Sequence, residues 1–167
     1  MKVTLYMAIS IDGYIATETW DSEWISEHDI EIFDKITWNS DCVIIWNTTY
    51  NQYKWEIYPI SNIHNIVVSS KQQEEKDNVS FTKSPKSAVQ IAQGKWYENV
   101  VLVWGWHING SFIKHNLIDE IIIDIQPIIL GSWIKLFEQI DKQVNLEFIE
   151  HVKLKWWLNM LKYKIKK

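Results

Sequence analysis

Apolar and polar positions along the chain alternate between two kinds of stretch. Residues 41–45 (DCVII), 65–69 (NIVVS) and 99–103 (NVVLV) are short, continuous apolar runs. Such runs fit strands covered on both faces, as in a parallel sheet. Residues 3–10 and 119–125 read as further strands, the second ended by Pro127. Between them lie stretches with helical spacing. In residues 26–37, Ile30, Phe33 and Ile36 share a face, with Ser26 as N-cap and acidic residues in the first turn. Residues 84–93 carry Ser84 at the N-cap, Pro85 at the first helical position and Gly94 at the end. Residues 48–53 and 108–115 complete the helices. Residues 79–82 form a short strand, and residues 146–151 and 158–165 pair as a terminal antiparallel hairpin.

Strands alternating with helices predict an α/β three-layer sandwich, with a mostly parallel central sheet and antiparallel edge strands. The pattern shows no repeat, low-complexity tract or linker, so residues 1–167 are read as a single domain. In open sheets of this kind ligands bind beyond the carboxyl ends of the strands. Residues 10–16, 46–49, 69–71 and 104–109 lie there. Hydroxyls at Thr48, Thr49, Ser69 and Ser70, the Lys71 charge, and a helix start after residue 105 suit a phosphorylated ligand. The same hydroxyls also suit helix caps and strand ends.

Composition narrows the class. A net charge of -4 disfavours nucleic acid and anionic membrane surfaces as partners. One cysteine, Cys42, excludes a disulfide framework. The histidines show no metal-ligand spacing, so no metal is expected. No apolar run approaches the ~20 residues of a membrane span, and no signal-peptide layout opens the chain. A cytoplasmic protein is the expectation. Two counts are unusual: 11 Trp against 5 Gly, where average usage near 7% predicts about 12 glycines.

Five segments occur in the order of one family: SIDGYIA (10–16), IWNTTY (45–50), VVSS (67–70), VLVWGWHINGSFI (101–113) and IIDIQPIILGSWIKLF (122–137). They resemble the dihydrofolate reductase-like superfamily, in particular its RibD C-terminal-domain branch, which includes the reductase of riboflavin biosynthesis and small stand-alone reductases. The chain departs from the family patterns in one consistent way. Trp46 stands at the Gly of G-R-x-T-Y, Trp104 and Trp106 at the first and third Gly of the glycine-rich loop, and Trp133 at the second Gly of L-G-x-G. Trp20 and Trp96 also fall where relatives commonly carry Gly. An indole in a glycine-rich loop fills the space of a dinucleotide and strains the turn. The expectation is that UGA codons meaning glycine have been translated as tryptophan. Glycine at 20, 38, 46, 55, 96, 104, 106 and 133 raises the count from 5 to 13, near the usual share. Trp156 or Trp157 is assigned to the same set, and Trp24 is kept as tryptophan because relatives often carry an aromatic there. The alternative is a diverged paralogue with genuine indoles.

The resemblance implies an NADPH-dependent reductase, homodimeric, acting on a pterin- or ribosylaminopyrimidine-like heterocycle. Trp104, Gly105, Trp106, His107 and Ile108 would hold the pyrophosphate, with Trp46 and Thr49 beside it. Ser69, Ser70 and Lys71 would surround the adenosine 2′-phosphate. Asn47 replaces the family's Arg, which leaves NADH as the alternative cofactor. Substrate would lie against Ala8, Asp12, Trp24, Asp29 and Phe33, with Asp29 as the catalytic candidate. A carboxyl in an apolar pocket has a raised pKa and supports protonation of a ring nitrogen. Asp29 is equally a good first-turn helix residue, and Asp12 a good turn residue before Gly13. A true dihydrofolate reductase and a non-catalytic binding domain with a blocked cofactor site are the competing readings.

Overall fold

The computed structural model describes residues 1–71, 77–153 and 158–167. Trp156 and Trp157, assigned above to the suspect set, lie outside the described residues. Ten strands and four helices follow one another along them: β1 (Lys2–Ser10), β2 (Tyr14–Ala16), α1 (Glu27–Trp38), β3 (Cys42–Trp46), α2 (Asn47–Gln52), β4 (His64–Val68), β5 (Val79–Thr82), α3 (Pro85–Gly94), β6 (Asn99–Val103), α4 (Trp106–Lys114), β7 (Glu120–Gln126), β8 (Ile134–Lys135), β9 (Leu146–Lys153) and β10 (Asn159–Ile165).

Eight strands form one sheet in the order β5-β4-β3-β6-β1-β7-β10-β9. From β5 to β7 every pair is parallel. Strands β10 and β9 add the antiparallel edge that the terminal hairpin predicts. The architecture is therefore a mixed α/β sandwich with a mostly parallel sheet. The continuous apolar runs are buried on both sides, as β3 shows from Cys42 to Ile45. Alternate residues of the strands feed two apolar clusters. One contains Leu5, Met7 and Leu102 with Ala88 and Ala92 of α3 and Ile108 and Phe112 of α4. The other contains Tyr6, Val101 and Val103 with Phe33 of α1 and Tyr50 of α2. The helices thus cover both faces.

Most departures from the sequence reading are shifts of one or two residues at element ends. The substantive one is a second sheet, in which β2 pairs antiparallel with β8. At three and two residues these strands are too short for a period-2 pattern. Ser26 occupies the N-cap of α1, but its hydroxyl makes no capping bond. Ser84 does cap α3, accepting from the Ser87 N–H at 3.1 Å.

Candidate active site

The parallel order β4-β3-β6-β1 places the carboxyl ends of four strands side by side. The loops at 46–49, 69–71 and 104–106 therefore share one edge of the sheet. Thr49, in the first turn of α2, donates its hydroxyl to the Trp104 carbonyl at 3.2 Å. This bond ties the β3–α2 turn to the β6–α4 loop. Gly105 is the N-cap of α4, with φ 144°. A Cβ there would come within 3.1 Å of Ile108 Cγ2 and 3.2 Å of Trp46 Cβ, so position 105 requires glycine. His107 pairs with Glu138, Nδ1 to Oε2 at 2.5 Å, and its ring lies 5.6 Å from that of Trp46. Ile108 is buried in the core. Ser69 is buried, and its hydroxyl accepts the Lys71 N–H at 3.1 Å; Ser70 and Lys71 are exposed, and Asn47 starts α2.

A cavity of about 1150 Å³ opens beside these loops, lined in part by Asp29, Phe33, Tyr53, Ile57 and Trp104. A second space of only about 40 Å³ lies between Met7, Ala16, Thr49 and Gly105, and Trp104 borders both. Asp29 and Phe33 are thus brought together on one wall. The other three expected substrate residues are not on that wall. Ala8 is fully buried within β1, paired with Asp124 of β7. Trp24 precedes α1 and lines a separate cavity with Ser26, Gln126 and Leu158. Asp12 accepts the N–H groups of Leu130 (3.1 Å) and Gly131 (2.7 Å), and so anchors the 130–131 turn to the end of β1. A bond from Ser10 and these two hold its carboxyl below the usual value.

Asp29 is 1% exposed, although it sits in the first turn of a surface helix. Tyr6 of β1 donates its hydroxyl to Asp29 Oδ1. Asp124 of β7 is wholly buried next to it, its Oδ2 accepting from Gln126 Nε2 at 2.6 Å. Gln126 in turn accepts the Ser26 N–H at 3.2 Å, which locks β7 to the start of α1. Asp124 Oδ1 is buried with no hydrogen-bond partner among the described residues. Two buried carboxyls side by side hold together when they share a proton. Desolvation pushes Asp29 up to about 6; it pushes Asp124 up to about 7, with the Asp29 charge adding to the shift. Burial and the Asp29 charge keep the Tyr6 hydroxyl protonated.

Sequence reasoning missed Asp124 and Tyr6, because it looked for chemistry at strand ends. The signal was present: an Asp inside the apolar strand EIIIDIQ is costly to bury unless partnered.

The pair makes stability depend on pH. Both acids titrate above their ordinary value of 3.8, so the native state binds more protons than the unfolded chain between about 4 and 7. Stability therefore falls as pH rises through that window, by at most ~1.4 kcal/mol per pH unit for each excess proton. Thermal melts at pH 5 and pH 7.5 should show the lower melting temperature at pH 7.5. Asp29→Asn should flatten the difference; an unchanged slope would contradict the shared proton.

Comparison with known proteins agrees with the fold. Residues 1–156 match the RibD C-terminal domain, and the chain belongs to that family. It is 28% identical over 153 residues to YwjB, an uncharacterised protein of Bacillus subtilis, covering 87% of each chain. Among solved structures, one similar chain is a protein from Shewanella sp. PV-4 provisionally assigned to riboflavin biosynthesis (22% identity, all of both chains, TM-score 0.84). Another is a pyrimidine reductase-like protein from Corynebacterium diphtheriae (11% identity, 99% and 92% covered, TM-score 0.81). A third is the diaminohydroxyphosphoribosylaminopyrimidine deaminase/5-amino-6-(5-phosphoribosylamino)uracil reductase of Thermotoga maritima, at TM-score 0.76 and 14% identity. The match covers 99% of this chain and 56% of that one.

Proposed function

We propose that the chain is a reductase of the RibD type, reducing a C=N or C=O bond of a pterin- or ribosylaminopyrimidine-like heterocycle held in the Asp29 cavity. The observation that carries this reading is a buried acid, raised to about 6, on the wall of a cavity large enough for a heterocycle with its sugar. Reduction of such a bond needs a hydride at carbon and a proton at the ring nitrogen or oxygen. Asp29, raised to about 6, holds that proton on the acid side of neutrality, Asp124, raised to about 7, can return it, and Tyr6 fixes the carboxyl that carries it. Phe33 supplies an apolar wall that keeps the carboxyl out of water.

NADPH, when bound, is the hydride source in this reading, with NADH as the alternative because Asn47 removes a charge. The backbone suits a pyrophosphate: Gly105 permits close approach and the α4 N-terminus points into the loop. The side chains as written do not suit it. The indole of Trp104 borders both spaces, and Trp46 and Trp106 flank the same turn. The space behind Trp104, about 40 Å³, is small beside the neighbouring cavity of about 1150 Å³, and the indole narrows it.

The reading is tested by titrating NADPH and NADH into this chain and into a Trp46→Gly/Trp104→Gly/Trp106→Gly variant. The expected result is micromolar dinucleotide binding by the variant and none by the parent. Absence of binding by a folded variant would end the reductase reading.

A further inference from the structure

We infer that positions 20, 55, 96 and 104 carry glycine in the protein as its source makes it, so that the indole of Trp104 does not stand in the native site. The inference stands on the backbone and does not depend on the reductase reading.

Among the described residues, nine left-handed positions fall into three kinds. Gly13, Gly105 and Gly131 are three of them, and Asn62 and Asn116 are two. The remaining four are Trp20 (φ 66°), Trp55 (73°), Trp96 (60°) and Trp104 (47°). Glycine pays nothing for this conformation, and asparagine is the residue type that next tolerates it. A bulky side chain there is an outlier, and four of one type in one chain is not a scatter of outliers. Trp24, the one described tryptophan that the family pattern retains, has no such backbone.

Two helix ends make the comparison within the molecule. After α3, Trp96 N–H bonds the Gln93 carbonyl (3.0 Å) and Tyr97 N–H bonds the Ala92 carbonyl (3.1 Å). After α4, Asn116 N–H bonds the Ile113 carbonyl (3.1 Å) and Leu117 N–H bonds the Phe112 carbonyl (3.0 Å). Both are the same 6→1, 5→2 termination, whose left-handed residue is usually glycine and sometimes asparagine. One end follows the rule and the other has tryptophan. Packing does not offset the strain at 55 and 96, where the side chains are 78% and 90% exposed.

Position 104 connects this to the site. Its indole packs on Phe33 and Tyr53, with ring centroids 6.3 and 5.2 Å away. The indole borders both the small space beside Thr49 and Gly105 and the Asp29 cavity, so glycine there would widen the passage between them. A single cause covers all four positions: one codon, UGA, decoded as glycine in the source and written as tryptophan. The same codon would then stand at 46 and 106, where the backbone admits either residue, and a different one, UGG, at Trp24.

The test is peptide mass spectrometry of the protein purified from its source, across residues 95–114 and across Trp20, Trp24 and Trp55, with the codons read alongside. The expected result is glycine at 20, 55, 96 and 104 on UGA codons, and tryptophan at 24 on UGG. Tryptophan at 96 or 104 in the native peptides would overturn the inference. Mass spectrometry needs neither folding nor activity. Glycine at 104 in a protein that then binds no dinucleotide would uphold this inference and sink the reductase reading.

Discussion

A Trp20→Gly/Trp55→Gly/Trp96→Gly variant should melt roughly 6–12 °C above the parent chain, by the ~2–4 °C per kcal/mol usual for domains of this size. Three substitutions that delete large apolar side chains ordinarily destabilise a protein. Here the sign is reversed. A non-glycine residue in the left-handed region costs ~1–2 kcal/mol, and the three φ values lie between 60° and 73°. Glycine gives back part of the gain, because it leaves the unfolded chain more freedom, by ~0.4–1 kcal/mol per site. The net is about 1 kcal/mol at each position. Two of the indoles are largely in solvent, so little packing is lost with them. Trp24→Gly is the control. That residue is partly buried without a left-handed backbone, and its replacement should lower the melting temperature. Thermal melts of the two variants check both signs. Loss of stability in the triple variant would mean that the loops have adapted to genuine indoles.

In the glycine form, Asp29→Asn should lower kcat for reduction about 10²–10⁴-fold, the usual worth of a placed general acid. Among the described residues, the buried carboxyl is the one group on the cavity wall held at about 6. Asp124→Asn should act differently. The amide in place of the Asp124 carboxyl cannot ionise and keeps at every pH the donor contact that lowers the Asp29 value, so the Asp29 acid should titrate at lower pH. The alkaline fall in kcat should then begin at lower pH, while kcat at pH 5 stays near the parent value. Tyr6 faces Asp29 from β1 and stays protonated, and His28 on α1 lies 3.6 Å from Glu31 at its Nδ1. His28→Gln should leave the fall in place, which separates the buried pair from the surface histidine. A purely structural Asp124 would lower activity at every pH without moving the fall.

The strands and helices were legible because burial on both faces leaves continuous apolar runs, and β3, β4 and β6 each show one. Sheet order was not legible, since nothing in NVVLV says that it pairs with β3 on one side and β1 on the other. The β2–β8 pair was hidden for a related reason. It joins Tyr14–Ala16 to Ile134–Lys135 through contacts that no local pattern records. The grouping of the 46–49 and 104–109 turns at the carboxyl ends of the strands followed from the α/β alternation, and the family resemblance added Asp29 to the candidate residues. Ala8 and Trp24 could not be placed, because side-chain direction depends on strand register and loop path. Asp124 needed the third dimension. It sits among isoleucines in an apolar strand and becomes chemically notable only beside Asp29 and Tyr6. The anomalous tryptophans were legible as departures from a glycine pattern, and the backbone angles give a physical reason for four of them.

The central claim, that this fold reduces a heterocycle beside Asp29, is tested most directly by isotope transfer. NADPH deuterated at the transferring position would be mixed with the glycine form and a ribosylaminopyrimidine or an oxidised pterin, and the product read by mass spectrometry. The account predicts one deuterium on a ring or ribityl carbon of the product, and a transfer rate that falls about 10²–10⁴-fold in Asp29→Asn. Unlabelled, unreduced heterocycle from a folded, dinucleotide-binding protein would contradict it.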